Sequence, residues 1–269
     1  MRMRAAVIIA MVLSMCLMSA CRNMQAGIVV AGSTSVQPYA EILAEEYALL
    51  HPENEIDIQG GGSSAGITAA ELGTADIGMS SRELSDKERG LWSVEIAKDG
   101  LAVIINPNNP ISDLTLDQIH DIYTTKISDW SELGGPNAKI HIIAREEGSG
   151  TRSAFEGLVM GKDLITPKAI IQDSNGAVRQ LVSDDPYSIG FISLGLADHT
   201  VKTLRLGGIE PTRINVENGS YSLYRPFLFV MNSQPTGLTK QFIDFTLSPE
   251  GQRILIHEGL IPVIEGLES

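Results

Sequence analysis

Arg145, Ser149 and Thr151 lie close together in the sequence within residues 144–156, which read A-R-E-E-G-S-G-T-R-S-A-F-E. The apolar run before this segment predicts a strand, and the residues after Gly150 predict the first turns of a helix. Unpaired N–H groups at a helix start attract negative charge. Arg145 adds a permanent cation, and Ser149 and Thr151 add hydroxyl donors. The combination predicts a site for a small oxyanion, although an ordinary turn with a helix cap would also contain G-S-G-T.

The same order of strand, glycine–hydroxyl loop and helix occurs twice earlier in the chain. A short apolar strand leads into G-S-T-S at residues 32–35, before a helix that is predicted over residues 39–50. An alternating strand leads into G-G-G-S-S-A-G at residues 60–66, before a helix that is predicted over residues 67–72. One such loop is common turn chemistry. Three of them in one chain favour a shared anion site.

A further polar segment, S-S-R at residues 80–82, follows a short buried strand. It adds two hydroxyls and a second arginine. Asp76 opens this strand rather than closing it, so its carboxylate is interpreted as structural rather than as a ligand. The next residues, from Ser85 to Glu88, have the serine–glutamate spacing of a capping box and predict a short helix.

The first residues indicate export. A short basic start, an apolar run over residues 5–17 and small residues before Cys21 predict a signal peptide over residues 1–20, because the apolar run is too short to span a membrane. Cys16 falls within this segment, so Cys21 would be the sole remaining cysteine. The small residues before it indicate a lipoprotein signal with lipidation of Cys21. We therefore expect an extracytoplasmic protein with a lipid anchor in the cell membrane. An uncleaved anchor with two idle thiols is the alternative.

The chain of 269 residues is acidic, with 20 basic and 33 acidic residues and a net charge of −13. Loss of Arg2 and Arg4 with the signal peptide would change the net charge to −15. An acidic surface argues against nucleic acid and against anionic membrane surfaces as partners. It does not exclude an anionic ligand, because salt screens the net charge within about 8 Å, whereas site donors act at contact distance.

Strands alternate with helices along almost the whole chain, which predicts a predominantly parallel α/β architecture. The length suits two lobes, and two long β-prone runs near residues 101–106 and 223–231 are the natural crossings between them. Lobe one would hold residues 26–104 and 225–269, and lobe two would hold residues 105–224. Ligands of such folds bind beyond the carboxyl ends of strands. The first two loops would then face the third across a cleft.

These motifs together resemble the PstS-type solute-binding proteins, the phosphate-binding lipoproteins of high-affinity phosphate ABC transporters. The matching segments lie in the family's order between about residues 29 and 231. They are A-G-S-T-S, G-G-G-S-S-A-G, T-A-D-I-G-M-S-S-R, L-T-L-D-Q-I-H-D-I-Y, D-W-S-E-L-G-G, R-E-E-G-S-G-T-R-S-A-F, S-N-G-A-V-R and S-I-G-F-I-S. R-x-x-G-S-G-T is the specific element. The resemblance implies an α/β, two-lobed, type II periplasmic-binding-protein-like fold with a hinge between the lobes.

The family's anion ligands are loop hydroxyls, backbone N–H groups and one arginine. Matched residue by residue, they fall here on Thr34, Ser35, Ser63, Arg145, Ser149, Gly150 and Thr151. One position departs from the pattern. Some members have an aspartate that accepts the proton of a bound hydrogen phosphate, and this chain has Ser81 there. A hydroxyl can accept a hydrogen bond but does not repel a fully ionised anion, so the resemblance implies phosphate binding and leaves discrimination against sulfate open.

The resemblance implies a solute-binding protein that captures inorganic phosphate between its lobes and delivers it to the permease and ATPase subunits of an ABC importer. We expect a monomer without cofactor or metal. Another tetrahedral oxyanion (sulfate, molybdate or tungstate) is one alternative, and a surface adhesin or sensor regulated by phosphate is another. A phosphatase-type enzyme is disfavoured because the chain lacks G-x-S-x-G, and its histidines show no metal-ligand spacing. These are His51, His120, His141, His199 and His257.

Overall fold

A computed structural model describes residues 26–264. The predicted signal peptide over residues 1–20 and the predicted lipidation of Cys21 lie outside the described residues. Within them every helix is too short or too polar to cross a lipid bilayer.

The elements follow the predicted alternation closely. The first part of the chain forms β1 (Ala26–Gly32), α1 (Gln37–Leu50), β2 (Asn54–Gly60), α2 (Ser63–Glu71), β3 (Ile77–Ser80), β4 (Trp92–Ile105), β5 (Asp113–Leu114) and α3 (Leu116–Tyr123). The middle forms β6 (His141–Arg145), α4 (Gly150–Phe155), β7 (Ile170–Gln172), α5 (Asn175–Asp184) and β8 (Ser188–Ser193). The last part forms β9 (Lys202–Thr203), β10 (Arg205–Leu206), α6 (Arg213–Glu217), β11 (Tyr224–Met231), α7 (Gly237–Thr246) and α8 (Pro249–His257).

One sheet runs through both lobes. Its strands lie in the order β2-β1-β3-β11-β4-β8-β6-β7, and β9 pairs with β4. Lobe one is built on β2, β1, β3, β11 and the first part of β4, and lobe two on the rest of β4 with β8, β6 and β7. Each lobe has its own hydrophobic core, one around Tyr39, Leu43 and Phe229, and the other around Trp130, Phe155 and Phe191. The fold is therefore two-lobed, as the sequence predicts.

The strand directions differ from the prediction. Within lobe one, β1 runs parallel to β2 and β3, and within lobe two, β6 runs parallel to β7 and β8. The two strands at the centre are antiparallel to their neighbours, since β11 pairs antiparallel with β3 and β4, and β4 pairs antiparallel with β8. The sheet is mixed rather than predominantly parallel, because β4 and β11 carry the chain between the lobes in opposite directions.

A buried ion pair lies where β4 and β11 pass between the lobes. Asp99 and Arg225 are direct register partners on the two strands, and each is at most 2% exposed. Nε and Nη2 of Arg225 donate to one carboxylate oxygen of Asp99 at 3.1 and 3.0 Å, and Ser193 Oγ donates to the other at 2.8 Å. Burial raises the pKa of Asp99, while Arg225 and Ser193 oppose that rise. These hydrogen bonds hold β4 and β11 together at the point where the two strands pass between the lobes.

The capping-box pattern of Ser85 and Glu88 was expected to start a short helix, and this prediction is wrong. These residues form a turn. The Glu88 carboxylate accepts the N–H of Ser85 at 2.7 Å, as in a capping box, but it also accepts two hydrogen bonds from Arg82, both at 2.8 Å. Hydrogen bonding to Arg82 lowers the pKa of Glu88 to about 2. The carboxylate thus ties the turn to the end of β3 instead of starting a helix.

We predict that Glu88→Gln lowers the free energy of unfolding by about 1.5–3 kcal/mol at neutral pH, the usual contribution of hydrogen bonds to a charged group. The folded-state pKa of about 2 lies below the ordinary value of 4.5. The contribution is therefore complete above pH 4.5 and is lost as the pH falls through about 2. Urea unfolding at several pH values measures it, with the exposed neighbour Glu83→Gln as control. An equal difference at all pH values would contradict the assignment.

Candidate anion site

Three hydroxyls of lobe one lie in contact at the carboxyl ends of β1 and β3 and at the start of α2. Ser33 Oγ donates to Ser81 Oγ at 2.8 Å, and Ser63 Oγ lies 3.2 Å from Ser81 Oγ. Ser63 Oγ also accepts the backbone N–H of Ser81 at 3.1 Å. All three side chains are at most 2% exposed. Buried hydroxyls need hydrogen-bond partners, and the two bonds within the cluster use two of its three hydroxyl hydrogens. One hydroxyl hydrogen is thus left for a group in the cleft.

Glycine makes this arrangement possible at the end of β1. Gly32 has φ +140°, and a Cβ atom there would collide with the carbonyl oxygen of Met79. Ser33 N–H donates to that same carbonyl at 2.9 Å. The first predicted loop is therefore held directly against β3, which brings Ser33 to Ser81.

Arg145 lies at the end of β6 in lobe two and is 1% exposed. Its Nε and Nη2 donate to the two carboxylate oxygens of Glu146 at 2.9 and 3.0 Å, and Nη2 also donates to the carbonyl of Asp173 at 2.9 Å. Nη2 reaches across the cleft to Thr34 Oγ1 at 3.1 Å. Nη1 is buried and has no hydrogen-bond partner among the described residues. A buried guanidinium donor of this kind is suited to an anion.

The two lobes also meet through hydroxyls and backbone groups. Ser35 Oγ lies 2.8 Å from Thr151 Oγ1, and the N–H of Ser64 donates to the carbonyl of Gly148 at 3.1 Å. A Cβ atom on Gly150 would collide with Ser63 Oγ and Ser81 Oγ. Gly150 therefore brings the backbone of lobe two directly against the hydroxyl cluster of lobe one, and the cleft is closed around these groups.

The predicted donors of the third loop, Ser149, Gly150 and Thr151, have different structural roles. Ser149 Oγ accepts the N–H of Arg152 at 3.3 Å as the N-cap of α4, and Ser149 N–H donates to the carbonyl of Glu146 at 3.2 Å. The N–H groups of Gly150 and Thr151 are at the first two positions of α4, where a helix provides no acceptor. The structure thus brings Thr34, Ser35, Ser63, Ser81, Arg145, Gly150 and Thr151 together, with Ser149 holding the loop that presents them.

Comparison with known proteins gives a consistent result. Residues 22–250 match the model of the PBP superfamily domain. The phosphate-binding protein PstS of Bacillus subtilis is 32% identical over 243 residues, which cover 88% of this chain and 80% of that protein. The chain belongs to the PstS-type solute-binding proteins of the PBP superfamily. Its type II fold follows from the same relationship.

Solved structures of phosphate transport proteins agree with this assignment. A substrate-binding protein assigned to a phosphate ABC transporter of Clostridium perfringens, with bound phosphate, is 45% identical and superposes with a TM-score of 0.86 over 88% of this chain and 100% of that one. An ABC-type phosphate transport receptor from Vibrio cholerae is 38% identical, with a TM-score of 0.74 over 87% of this chain and 99% of that one. The PstS-type relatives thus match both lobes of the described structure.

Within this PstS-type frame, the sequence analysis missed two groups at the cleft. Ser33 was only one of several hydroxyls in its loop, yet it donates to Ser81. Asn175, in the S-N-G-A-V-R segment after β7, donates from Nδ2 to Ser35 Oγ at 2.9 Å. The signal was available, because this segment is a fourth junction in which polar residues separate a strand from a helix. Asp76 is structural, as expected, since its carboxylate accepts the N–H of Val29 at 2.8 Å.

Among residues 26–264, no group of three histidine, cysteine, aspartate or glutamate side chains is placed to hold a metal ion. Charged groups on or beside the site loops include Arg145 with Glu146 and, on lobe one, Arg82 with Glu88. Glu88 already accepts two hydrogen bonds from Arg82, and Arg82 Nη2 also donates to Ser64 Oγ at 3.3 Å. Among the described residues, buried guanidinium nitrogens without a partner occur on Arg145 and on Arg225, whose other nitrogens donate to Asp99. Arg145 contacts Thr34 of the first loop, so Arg145 is the cation that we expect to face a ligand.

Proposed function

We propose that this chain is an extracytoplasmic solute-binding protein that captures inorganic phosphate between its two lobes and delivers it to an ABC importer. The observation that carries the proposal is the convergence of buried donors from both lobes. The buried Ser63 and Ser81 approach from lobe one together with the half-buried Thr34, and the buried Arg145 and Thr151 approach from lobe two. The bound phosphate of the Clostridium perfringens relative supports the choice of anion.

The donor set is sufficient for tight binding. Each hydrogen bond to a charged group contributes about 1.5–3 kcal/mol. A micromolar dissociation constant needs about 8 kcal/mol. The Arg145 guanidinium, the hydroxyls and the N–H groups of Gly150 and Thr151 together provide more than this, which leaves free energy for closing the lobes. Because these donors come from both lobes, we infer that phosphate favours the closed state by hinge closure.

Calorimetric titration of the ligand-stripped protein, prepared without its predicted signal peptide and lipid, tests the proposal. We expect one phosphate per chain with a dissociation constant of about 1 µM or less. Sulfate, molybdate and tungstate are titrated in parallel. Binding of one of these without phosphate would keep the site and change the substrate, whereas no binding of any of the four would exclude the proposed function.

Selectivity depends on Ser81, where some family members have an aspartate. We predict that Ser81→Asp raises the ratio of phosphate to sulfate affinity by about tenfold or more. A carboxylate there repels an anion without a proton, and it accepts a hydrogen bond from one that has a proton. Ser81→Asn is the matched control, because asparagine has the same size as aspartate but no charge. An equal loss of both anions in Ser81→Asp would contradict the prediction.

The remaining assignments are proposals that rest on the family. We propose that Cys21 carries the lipid anchor, that residues 1–20 are a signal peptide, and that the protein is a monomer that contacts permease and ATPase subunits and is not an enzyme. A shift in mobility after Cys21→Ser would test the anchor. A phosphatase assay on the purified protein should give no turnover.

The lobe boundaries, predicted as residues 26–104 with 225–269 and residues 105–224, also stay a proposal. The packing supports a lobe boundary in β4 that lies a few residues before residue 104. Leu101, Val103 and Ile105 pack into the core of lobe two, whereas Ile96 and Ala97 pack into the core of lobe one. We infer that the hinge passes through Asp99 and Arg225.

A further inference from the structure

Asn175 is the first residue of α5 in lobe two, and it is 1% exposed. Its side chain connects the two lobes. Nδ2 donates to Ser35 Oγ of lobe one at 2.9 Å, and Oδ1 accepts the backbone N–H of Ser193 in lobe two at 3.3 Å. A backbone N–H can only donate, so Ser193 fixes the orientation of the amide. Asn175 must therefore present a hydrogen, and not a lone pair, to Ser35.

The hydrogens of the Ser35 and Thr151 hydroxyls can be counted. The two oxygens lie 2.8 Å apart and share one hydrogen bond, which consumes one of their two hydrogens. Asn175 supplies a hydrogen to the pair and takes none. Within the described residues, these two hydroxyls have no other acceptor. One hydrogen of the pair is thus left for a group in the cleft.

The geometry points to Asn175 as a positioning residue that keeps the Ser35–Thr151 pair a hydrogen-bond donor toward the bound oxyanion. This inference rests on the proposed function and adds a determinant of anion choice. A donor pair suits every oxygen of a tetrahedral anion, whether or not that oxygen carries a proton. An acceptor at position 175 would consume the remaining hydrogen, and the pair would then present a lone pair to the anion.

Asn175→Asp tests the inference with almost no change in shape. The carboxylate still accepts the N–H of Ser193, and it accepts a hydrogen from Ser35 instead of donating one. We expect phosphate binding to weaken by about 10–100-fold at neutral pH, the range for loss of a hydrogen bond to a charged group. We expect sulfate binding to weaken by about tenfold more than this, because sulfate has no proton to donate to the exposed lone pair.

Asn106→Ala is the matched control. Asn106 is also a buried amide of lobe two, but its Nδ2 donates to the carbonyls of Val182 and Ser183 within the same lobe. This change should lower thermal stability and leave both anion affinities within about twofold. The comparison distinguishes a general loss of packing in lobe two from a reversal of the hydrogen bond between residue 175 and Ser35.

A double-mutant cycle provides a second measurement if Asn175→Asp does not fold. Asn175→Ala and Ser35→Ala should each weaken phosphate binding, and the double variant should be no more than about twofold weaker than Ser35→Ala alone. Full additivity would overturn the inference, as would a folded Asn175→Asp variant with an unchanged ratio of phosphate to sulfate affinity. Failure of the parent protein to bind any oxyanion would instead reject the proposed function.

Discussion

Replacing Arg145 by alanine is expected to weaken phosphate binding by about 10²–10⁴-fold. Two lost hydrogen bonds to a charged group account for about 3–6 kcal/mol, and each 1.4 kcal/mol is about tenfold. The change also leaves the Glu146 carboxylate without its partner at 2.9 Å, so a negative charge remains beside the anion. Calorimetry at neutral pH measures the loss.

Three further variants make this experiment specific. Arg179→Ala removes an arginine of the same lobe that contacts Leu196 and Asp198 instead of the cleft, and it should bind phosphate normally. Arg145→Lys keeps the charge but loses the planar donor pair, so it should bind with intermediate affinity. Glu146→Gln combined with Arg145→Ala should recover part of the loss. A dissociation constant of Arg145→Ala within about tenfold of the parent would place the anion elsewhere.

Gly150→Ala is the second large effect we expect. The added methyl group would meet Ser63 Oγ and Ser81 Oγ across the cleft. Gly150 is the first residue of α4 and is not among the glycines with positive φ, so alanine suits its backbone and the conflict arises between the lobes. Overpacking of this kind costs about 1–3 kcal/mol, which corresponds to about 5–150-fold weaker phosphate binding. The loss should come from incomplete closure.

Small-angle scattering with and without phosphate distinguishes closure from simple misfolding. The parent should become more compact with phosphate, and Gly150→Ala should change less at saturating anion. Gly157→Ala is the control, because a Cβ atom on Gly157 meets nothing within 4 Å. Both variants should unfold at or slightly above the parent's temperature, since alanine favours a helix over glycine. Full compaction of Gly150→Ala with unchanged affinity would contradict the steric argument.

The local elements were predictable because each is specified by adjacent residues. The helix predicted over residues 39–50 lies within α1 (Gln37–Leu50), and the helix predicted over residues 67–72 overlaps most of α2 (Ser63–Glu71). The three glycine–hydroxyl loops follow strands, as their patterns indicate, and Arg145 ends β6. Periodicity, caps and turn residues suffice for features of this kind.

The pairing of groups across the cleft could not be predicted in the same way. Ser33 lies 48 residues from Ser81, and Asn175 lies 140 residues from Ser35. Nothing in either segment alone tells which hydroxyl donates to which. The Glu88 turn shows a related limit, because its capping-box spacing is present but Arg82, six residues earlier, takes its carboxylate. Strand direction likewise depends on where β4 and β11 lie in the sheet and not on their composition.

The division of the donors between two lobes also determines how the anion leaves. In the proposed site, Ser63 and Ser81 belong to one lobe and Arg145 and Thr151 to the other, so separating the lobes would remove about half of the proposed ligands at once. The dissociation rate is then the rate of opening, and it should change little with the concentration of competing anions. A membrane partner needs no contact with phosphate to unload it. Holding the two lobes apart is sufficient.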